Sequence, residues 1–222
     1  PTAAGKLALA EAVINLLPAG VAKLSDIKIS ANWMASPDDS QRKSDLFNTV
    51  KELTQKVCKP WSIAIPVGKD SLSMKTIWQN NKKTNLSPQS LVISAFAKIK
   101  NVSNSITPQL INKDELVLVY LDLSKNKKRL GGSILAEVTH QTNLETPNLE
   151  NLKEFPRIYN FLATNINKKR IYSFHDISDG GLVVSAVEMM LAGGCGLNLD
   201  FSKISFFNDS SNLFSEELGV LF

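Results

Sequence analysis

The sequence predicts a mixed fold of the α/β or α+β class. Short apolar runs rich in β-forming residues recur along the chain, and between them lie segments whose apolar residues are spaced three and four apart. No internal repeat or low-complexity tract interrupts this pattern. With 222 residues, 43% of them hydrophobic, the chain can form one large domain or two small ones, each with a proper core.

The first half of the chain contains two predicted helices and three predicted strands. The opening helix is expected to be capped by Thr2 and stopped by the Pro-Ala-Gly segment at 18–20. Apolar residues at helical spacing define the second helix, and β-forming runs define the strands. The expected elements are a helix at 3–17, a strand at 27–31, a helix at 43–57, a strand at 61–66, a polar turn at 82–89 and a strand at 90–98.

The second half is predicted to alternate strands and helices. Its continuous apolar run at 115–123 is typical of a strand buried on both faces. Leu-Gly-Gly-Ser at 130–133 could bind an anion, although a turn with a helix cap fits it better. Pro156 is expected to kink one helix, and the Gly-Gly pair at 193–194 to end another. The expected elements are a strand at 115–123, helices at 133–141 and 148–165, a strand at 171–174, a helix ending near 194, and strands at 197–201 and 218–222.

Composition narrows the classes of function. Two cysteines are too few for a disulfide framework and lack zinc-site spacing, so a reducing cytoplasm is expected. No apolar run approaches the eighteen or so residues that a membrane span needs. The net charge is +4, but the lysines are scattered and their clusters lack interleaved aromatic residues, so we expect no nucleic-acid partner.

Both ends of the chain suggest a piece of a larger protein. The sequence opens on Pro1 directly before a predicted helix and closes on the apolar run at 218–222. An apolar edge strand at a terminus would promote aggregation. We therefore expect further chain on both sides.

The polar segment His-Asp-Ile-Ser-Asp-Gly-Gly at 175–181, here named the 175–181 corner, links a predicted strand to a predicted helix. A helix start offers free N–H groups to phosphate, and carboxylates such as Asp176 and Asp179 suit Mg²⁺. The same pattern also fits a simpler structure in which Asp179 caps the helix and the glycines turn the chain. Cys195, beyond that helix, is expected to be a small buried residue rather than a nucleophile.

The opening helix carries a second candidate. Glu11 and Asn15 lie four residues apart and therefore on one face, among alanines that let another body approach closely. The pair fits a wall of oxygen ligands, and it fits an ordinary surface pair equally well.

A third candidate follows the strand predicted at 61–66. The segment Val-Gly-Lys-Asp-Ser at 67–71 does not fit the phosphate-binding P-loop, because Ile63 and Asp70 occupy positions where that motif needs glycine and Ser or Thr. A polar loop that binds phosphate or carboxylate remains possible, as does a charged turn between hairpin strands.

Taken in order, these segments resemble phosphoribosylformylglycinamidine synthase in its large, single-chain form. The resemblance lies in single motifs that are individually weak but span nearly the whole chain in the family's order. They are Ile-Ser-Ala-Asn-Trp-Met at 29–34, Ile-Pro-Val-Gly-Lys-Asp-Ser-Leu-Ser-Met-Lys-Thr at 65–76, Ser-Leu-Val-Ile-Ser-Ala-Phe-Ala at 90–97, Leu-Gly-Gly-Ser at 130–133, the 175–181 corner, and Phe-Ser-Glu-Glu-Leu-Gly at 214–219.

The resemblance implies the fold of aminoimidazole ribonucleotide synthetase, in which N-terminal strands build a shared barrel and a second α/β domain follows. With a boundary between Gln109 and Asp114, residues 1–112 would form an incomplete N-terminal domain and residues 113–222 a truncated C-terminal domain. The chain would be most of the second synthetase unit of the enzyme. It would depend on the remaining domains, including the glutaminase domain.

The resemblance also implies a reaction and a ligand set. An ATP-dependent carbon–nitrogen ligase would convert formylglycinamide ribonucleotide to the amidine, with glutamine as ammonia donor and Mg²⁺ and ATP or ADP bound. Glu11, Asn15 and Asp176 match the family's magnesium ligands, and Ser178 matches a nucleotide contact. Gly68 and Ser71 match a nucleotide-binding loop of the small-subunit form. That form has an Asn where this chain has Lys69, so no metal ligand is assigned at position 69.

Three hypotheses therefore stand at this point. The segment carries magnesium–nucleotide ligands of the ligase, or it is a non-catalytic module in which a tightly bound ADP stabilises a pseudo-dimer. A third option, a related kinase of the same fold, fits less well because residues 33–34 and 66–70 do not resemble such kinases. The family's catalytic histidine matches neither His140 nor His175, so no catalytic residue is assigned.

Overall fold

The computed structural model describes residues 1–36, 38, 40–201 and 210–222. It has the mixed α/β architecture that the sequence predicts. The first half comprises α1 (Thr2–Ile14), β1 (Lys28–Met34), α2 (Ser40–Glu52), a π-helical turn (Leu53–Cys58), α3 (Lys59–Trp61), β2 (Ala64–Ser71), β3 (Lys75–Trp78), β4 (Lys83–Leu86) and β5 (Ser90–Phe96). The second half comprises β6 (Tyr120–Asp122), α4 (Ile134–Val138), α5 (Phe155–Asn167), β7 (His175–Asp176), α6 (Gly181–Gly193), α7 (Ser211–Phe214) and β8 (Gly219–Leu221).

The first half is built on a three-stranded sheet in the order β2-β1-β5. Strand β1 runs parallel to β2 and antiparallel to β5. Its burial alternates, because Ile29, Ala31 and Trp33 face the core while their neighbours face the other side. On that other side Val92 and Phe96 of β5 are each about half exposed, so the sheet presents a partly apolar open face.

Several elements of the first half differ from the prediction. Pro1, not Thr2, stands at the N-cap of α1, and no side chain caps it. The second helix continues to Trp61, because residues four apart, Leu53, Val57 and Trp61, all face the core. Strand β2 therefore starts only at Ala64. A hairpin of β3 and β4 lies where only a polar turn was expected.

The second half has a small antiparallel sheet in the order β6-β8-β7. The prediction of a long strand buried on both faces is wrong, because the strand is only three residues long, Tyr120–Asp122, and Val117 is 80% exposed. Pro156 lies in the first turn of α5, where its missing N–H costs nothing, so it begins the helix rather than kinking it. Residues 197–201 form no strand.

Two helix ends of this half agree with the prediction. Ser133 caps α4 by accepting a hydrogen bond from the backbone N–H of Ala136, so the 130–133 segment is a turn with a cap. Gly194 ends α6 in the left-handed conformation that glycine favours, with φ of 62°.

The two halves share one hydrophobic core. Trp61 of α3 stacks on Phe155 of α5, with ring centroids 3.9 Å apart and planes 7° from parallel. The Trp61 indole N–H donates to the carbonyl of Leu152 at 2.9 Å, and the Tyr159 hydroxyl donates to the carbonyl of Val21 at 2.9 Å. These contacts hold the first half of the chain against α5 and the segment before it. Within the described part of the chain, no helix is long and apolar enough to cross a membrane.

Replacement of Trp61 by alanine is expected to lower the free energy of unfolding by about 3–5 kcal/mol, since it removes a fully buried aromatic side chain and leaves a cavity. Urea unfolding followed by circular dichroism measures this loss. Trp78→Ala is the matched control, because Trp78 is 42% exposed and its loss should change stability by less than about 0.5 kcal/mol. Equal effects of the two substitutions would contradict a shared core centred on Trp61.

Candidate functional site

Three of the predicted ligand residues meet where α1 approaches the 175–181 corner. The side-chain amide of Asn15 donates to Oδ2 of Asp176 at 3.2 Å, across 161 residues of sequence. Glu11 lies one turn earlier on the same face of α1. Asp176 ends the short strand β7 and is only 8% exposed, whereas Glu11 and Asn15 lie at the helix surface.

The electrostatics of this meeting point favour a cation. The pKa of Glu11 is raised, first by partial desolvation of its carboxylate and then by the negative charges of Asp176 and Asp179. A bound cation would relieve this repulsion. The Asn15 amide group faces Asp176 through its nitrogen, and its carbonyl oxygen has no protein partner in the described structure.

The donor set fits a hard ion that keeps other ligands. Two carboxylates and an amide oxygen are the oxygen donors that Mg²⁺ takes from proteins. Among the described residues, no group of three or more His, Cys, Asp or Glu side chains could hold a metal alone. Glu11, Asn15 and Asp176 would therefore hold Mg²⁺ only together with water or phosphate oxygens.

His175 braces Asp176 from the other side. Its Nδ1 lies 2.6 Å from the carbonyl oxygen of Asp176 and 3.3 Å from Oδ1, and its Nε2 lies 3.1 Å from Oε2 of Glu188 on α6. The hydrogen bond to Asp176 raises the pKa of His175 although burial opposes it. Burial alone would raise the pKa of Asp176, but hydrogen bonds from His175 and Asn15 outweigh it and hold that pKa below its ordinary value. Asp176 thus stays ionised.

The rest of the corner is shaped by backbone. Ser178 is half-buried and Asp179 exposed. The prediction that Asp179 caps α6 is wrong, because Gly180 stands at the N-cap with φ of 84° and no side-chain cap. Gly181 packs so closely on helix α7 that an added Cβ would lie 2.7 Å from the carbonyl carbon of Phe214. Glycine is therefore required at both positions.

Gly68 and Ser71 do not join this arrangement. They lie within strand β2, opposite Ala31 and Met34 of β1, and not in a loop as the sequence suggested. The strand continues there because β1 is seven residues long and parallel to it. Ser71 accepts a hydrogen bond from Nζ of Lys69 at 3.1 Å. No hydrogen bond or ion pair among the described residues ties either residue to Asp176 or Ser178.

Sequence reasoning missed two carboxylates that shape the corner. Glu188 contacts His175 from α6, and Glu216 accepts the backbone N–H of Gly180 at 2.8 Å. Glu216 lies in the 214–219 motif, but no local pattern indicates a partner 36 residues away. His140, to which the sequence assigns no catalytic role, is exposed. Cys195, which was expected to be buried, is only half-buried.

Comparison with known protein families agrees with this architecture. Residues 1–98 match the FGAR-AT PurM_N-like domain, and residues 113–222 match the C-terminal domain of AIR synthase related proteins. The chain thus contains a PurM-like N-terminal domain followed by an AIR synthase-related C-terminal domain, and it has the AIR synthase-like fold.

Solved structures share the fold at low sequence identity. Thermotoga maritima PurL in complex with FGAR superposes with a TM-score of 0.62 at 10% identity, over 100% of this chain and 34% of PurL. The same protein complexed with ATP gives a TM-score of 0.59 at 9% identity, over 100% of this chain and 32% of PurL. Escherichia coli HypE, a hydrogenase maturation protein, gives 0.55 at 15% identity, over 98% of this chain and 63% of HypE. The chain spans about a third of PurL.

The pKa shifts at the corner predict a pH-dependent contribution to stability. The pKa of His175 is raised, so protonated His175 stabilises the fold at pH values below its ordinary pKa of 6.5, and this stabilisation is lost as the pH rises through the shifted pKa. The pKa of Asp176 is lowered, so ionised Asp176 stabilises the fold at pH values above its ordinary pKa of 3.8, and this stabilisation is lost as the pH falls. His175→Gln should therefore destabilise the protein more at about pH 5.5 than at about pH 9.

Urea unfolding of the parent protein and of His175→Gln, in EDTA and at both pH values, measures how much stability the substitution removes at each pH. His140→Gln is the control, since His140 is exposed and should leave the pH profile unchanged. An equal loss of stability at both pH values for His175→Gln would show that the imidazole contributes no charge-dependent stabilisation.

Proposed function

We propose that this chain is a segment of an ATP- and glutamine-dependent amidoligase. The enzyme would convert formylglycinamide ribonucleotide to formylglycinamidine ribonucleotide in the cytoplasm, and this segment would bind a magnesium–nucleotide complex. The observation that carries the proposal is the hydrogen bond between Asn15 and Asp176 beside Glu11. The two domain families and the fold shared with PurL support the same reading.

The role of each residue follows from its chemistry. Glu11 and Asp176 would supply carboxylate oxygens and Asn15 an amide oxygen to Mg²⁺, and the Ser178 hydroxyl would bond the nucleotide. In the proposed reaction, the amide oxygen of the substrate would take the γ-phosphoryl group of ATP and leave ADP, and ammonia would then displace that oxygen as inorganic phosphate. Mg²⁺ would neutralise the charge of the phosphates. His175 would keep Asp176 ionised and oriented, as residues that hydrogen-bond a metal ligand do in metal sites.

Gly68 and Ser71 enter the proposal separately. They lie on the edge strand of a sheet whose open face carries half-exposed Val67, Val92 and Phe96. In a larger protein, this face would pack against the matching unit of the same chain. Gly68 and Ser71 would then contact a nucleotide together with residues from outside this segment, and a glutaminase domain would supply ammonia.

A non-catalytic role is the second candidate. Both ring nitrogens of His175 lie within hydrogen-bonding distance of acidic or carbonyl oxygens, so the imidazole acts as a brace rather than as a free base. A nucleotide held at such a corner would stabilise the folded protein by mass action without being turned over.

Loss of a metal ligand is the direct test of the site. Asp176→Asn and Glu11→Ala in the full-length protein should each weaken Mg-ADP binding by at least about tenfold, or ~1.4 kcal/mol, because each removes a charged oxygen ligand. Isothermal titration calorimetry measures the affinity. Glu137→Ala, an exposed carboxylate on α4, should bind as the parent does. Unchanged nucleotide affinity in both ligand variants would overturn the assignment.

Melting and turnover together separate the two candidates. Mg-ADP at 100 times its dissociation constant should stabilise the folded state by about 2.7 kcal/mol, which raises the melting temperature by roughly 5–10 °C. Asp176→Asn should abolish this shift. If the parent protein shows the shift and Asp176→Asn keeps full amidine-forming activity, the nucleotide is structural. If activity falls in step with nucleotide affinity, the site belongs to the reaction.

A further inference from the structure

One carboxylate oxygen joins the two glycine-rich turns of the second half. Oε1 of Glu216 accepts the backbone N–H of Gly180 at 2.8 Å and the backbone N–H of Ile134 at 2.8 Å. Gly180 belongs to the 175–181 corner, and Ile134 follows the Gly-Gly-Ser turn that opens α4. The two amides are 46 residues apart in sequence, and this oxygen bonds both of them.

Glu216 is presented from a fixed support. The neighbouring Glu217 is 1% exposed and pairs with the Arg129 guanidinium, whose Nη2 lies 2.9 Å from Oε2. A second guanidinium nitrogen of Arg129 binds Glu150 at 2.8 Å. Further along the chain, the backbone N–H of Ile177 donates to the carbonyl of Gly219 at 2.9 Å. Before Glu216, the Ser215 hydroxyl donates to the carbonyl of Arg129 at 3.3 Å. The segment that carries Glu216 is therefore anchored on both sides of it.

The bond from Gly180 to Glu216 matters for the 175–181 corner because Gly180 is buried and lies two residues after Ser178. A charged acceptor forms stronger and shorter hydrogen bonds with N–H groups than a neutral one does. Without it, the Gly180 amide would be buried and unpaired, and the turn from Ser178 to Gly181 could relax away from Asp176.

We propose that Glu216 is a positioning residue of the 175–181 corner. Its carboxylate accepts hydrogen bonds from two converging backbone N–H groups and so holds the Ser178–Gly180 turn against the 130–133 turn. The effect on nucleotide affinity depends on the function proposed above, whereas the effect on the two amides does not. Because the space is shaped for a carboxylate, a small carboxylate such as formate should fill it when the side chain is removed.

The test compares Glu216→Ala, Glu216→Gln and the control Glu137→Ala in the full-length protein. Amide hydrogen exchange at Ile134 and Gly180 and calorimetric Mg-ADP affinity are measured with formate and, at equal ionic strength, with chloride. Glu216→Ala should speed exchange at both amides and weaken Mg-ADP binding by about 10–100-fold, the range for groups that orient ligands. Formate should restore both readouts, and Glu216→Gln, which keeps an acceptor oxygen, should lose less than about threefold.

The outcomes are separable. If exchange is accelerated in Glu216→Ala and reversed by formate, but the parent protein binds no Mg-ADP, the role of Glu216 is supported and the proposed function is contradicted. Unchanged exchange at Ile134 and Gly180 in Glu216→Ala overturns the role of Glu216, whatever the nucleotide affinity. A loss of affinity that neither formate nor Glu216→Gln recovers also overturns it, because it indicates a general loss of structure.

Discussion

The arrangement of the proposed site depends on the single core that the two halves of the chain share. Glu11 and Asn15 belong to the first half and Asp176 to the second, so neither half alone contains the complete set of proposed ligands. The stack of Trp61 on Phe155 holds the second helical segment against α5, and the same core contains the apolar face of α1. The hydrogen bond between Asn15 and Asp176 is a consequence of that packing.

The charges at the junction point in one direction. The pKa of Glu11 is raised by desolvation and by nearby acids, and that of Asp176 is lowered by its hydrogen-bond donors despite burial. The ionised form of Glu11 is disfavoured, whereas that of Asp176 is stabilised, so a cation bound between the two carboxylates would offset their repulsion. His175, which also contacts Glu188, lies against Asp176 and not against Glu11.

Sequence reasoning could identify the mixed fold and most helices, because helical spacing and terminating glycines are local signals, as Gly194 illustrates. It also named Glu11, Asn15 and Asp176, partly from spacing and mainly from the resemblance to a family. It failed where tertiary contacts decide. The Trp61 side chain is buried in the shared core, which extends the helical segment beyond the predicted end, and Val117 is exposed outside the paired strand β6.

The 175–181 corner illustrates the same limit in its chemistry. From sequence alone, the glycines and the start of α6 suggest free N–H groups for phosphate. The Gly180 amide is instead occupied by Glu216, whose negative charge also repels a phosphate placed beside it. The Gly180 amide is therefore not available to a phosphate group, which in the proposed site would be bound through the Ser178 hydroxyl and a cation held by Asp176. This arrangement makes the metal ligands, rather than the glycine turn, the centre of the proposed site.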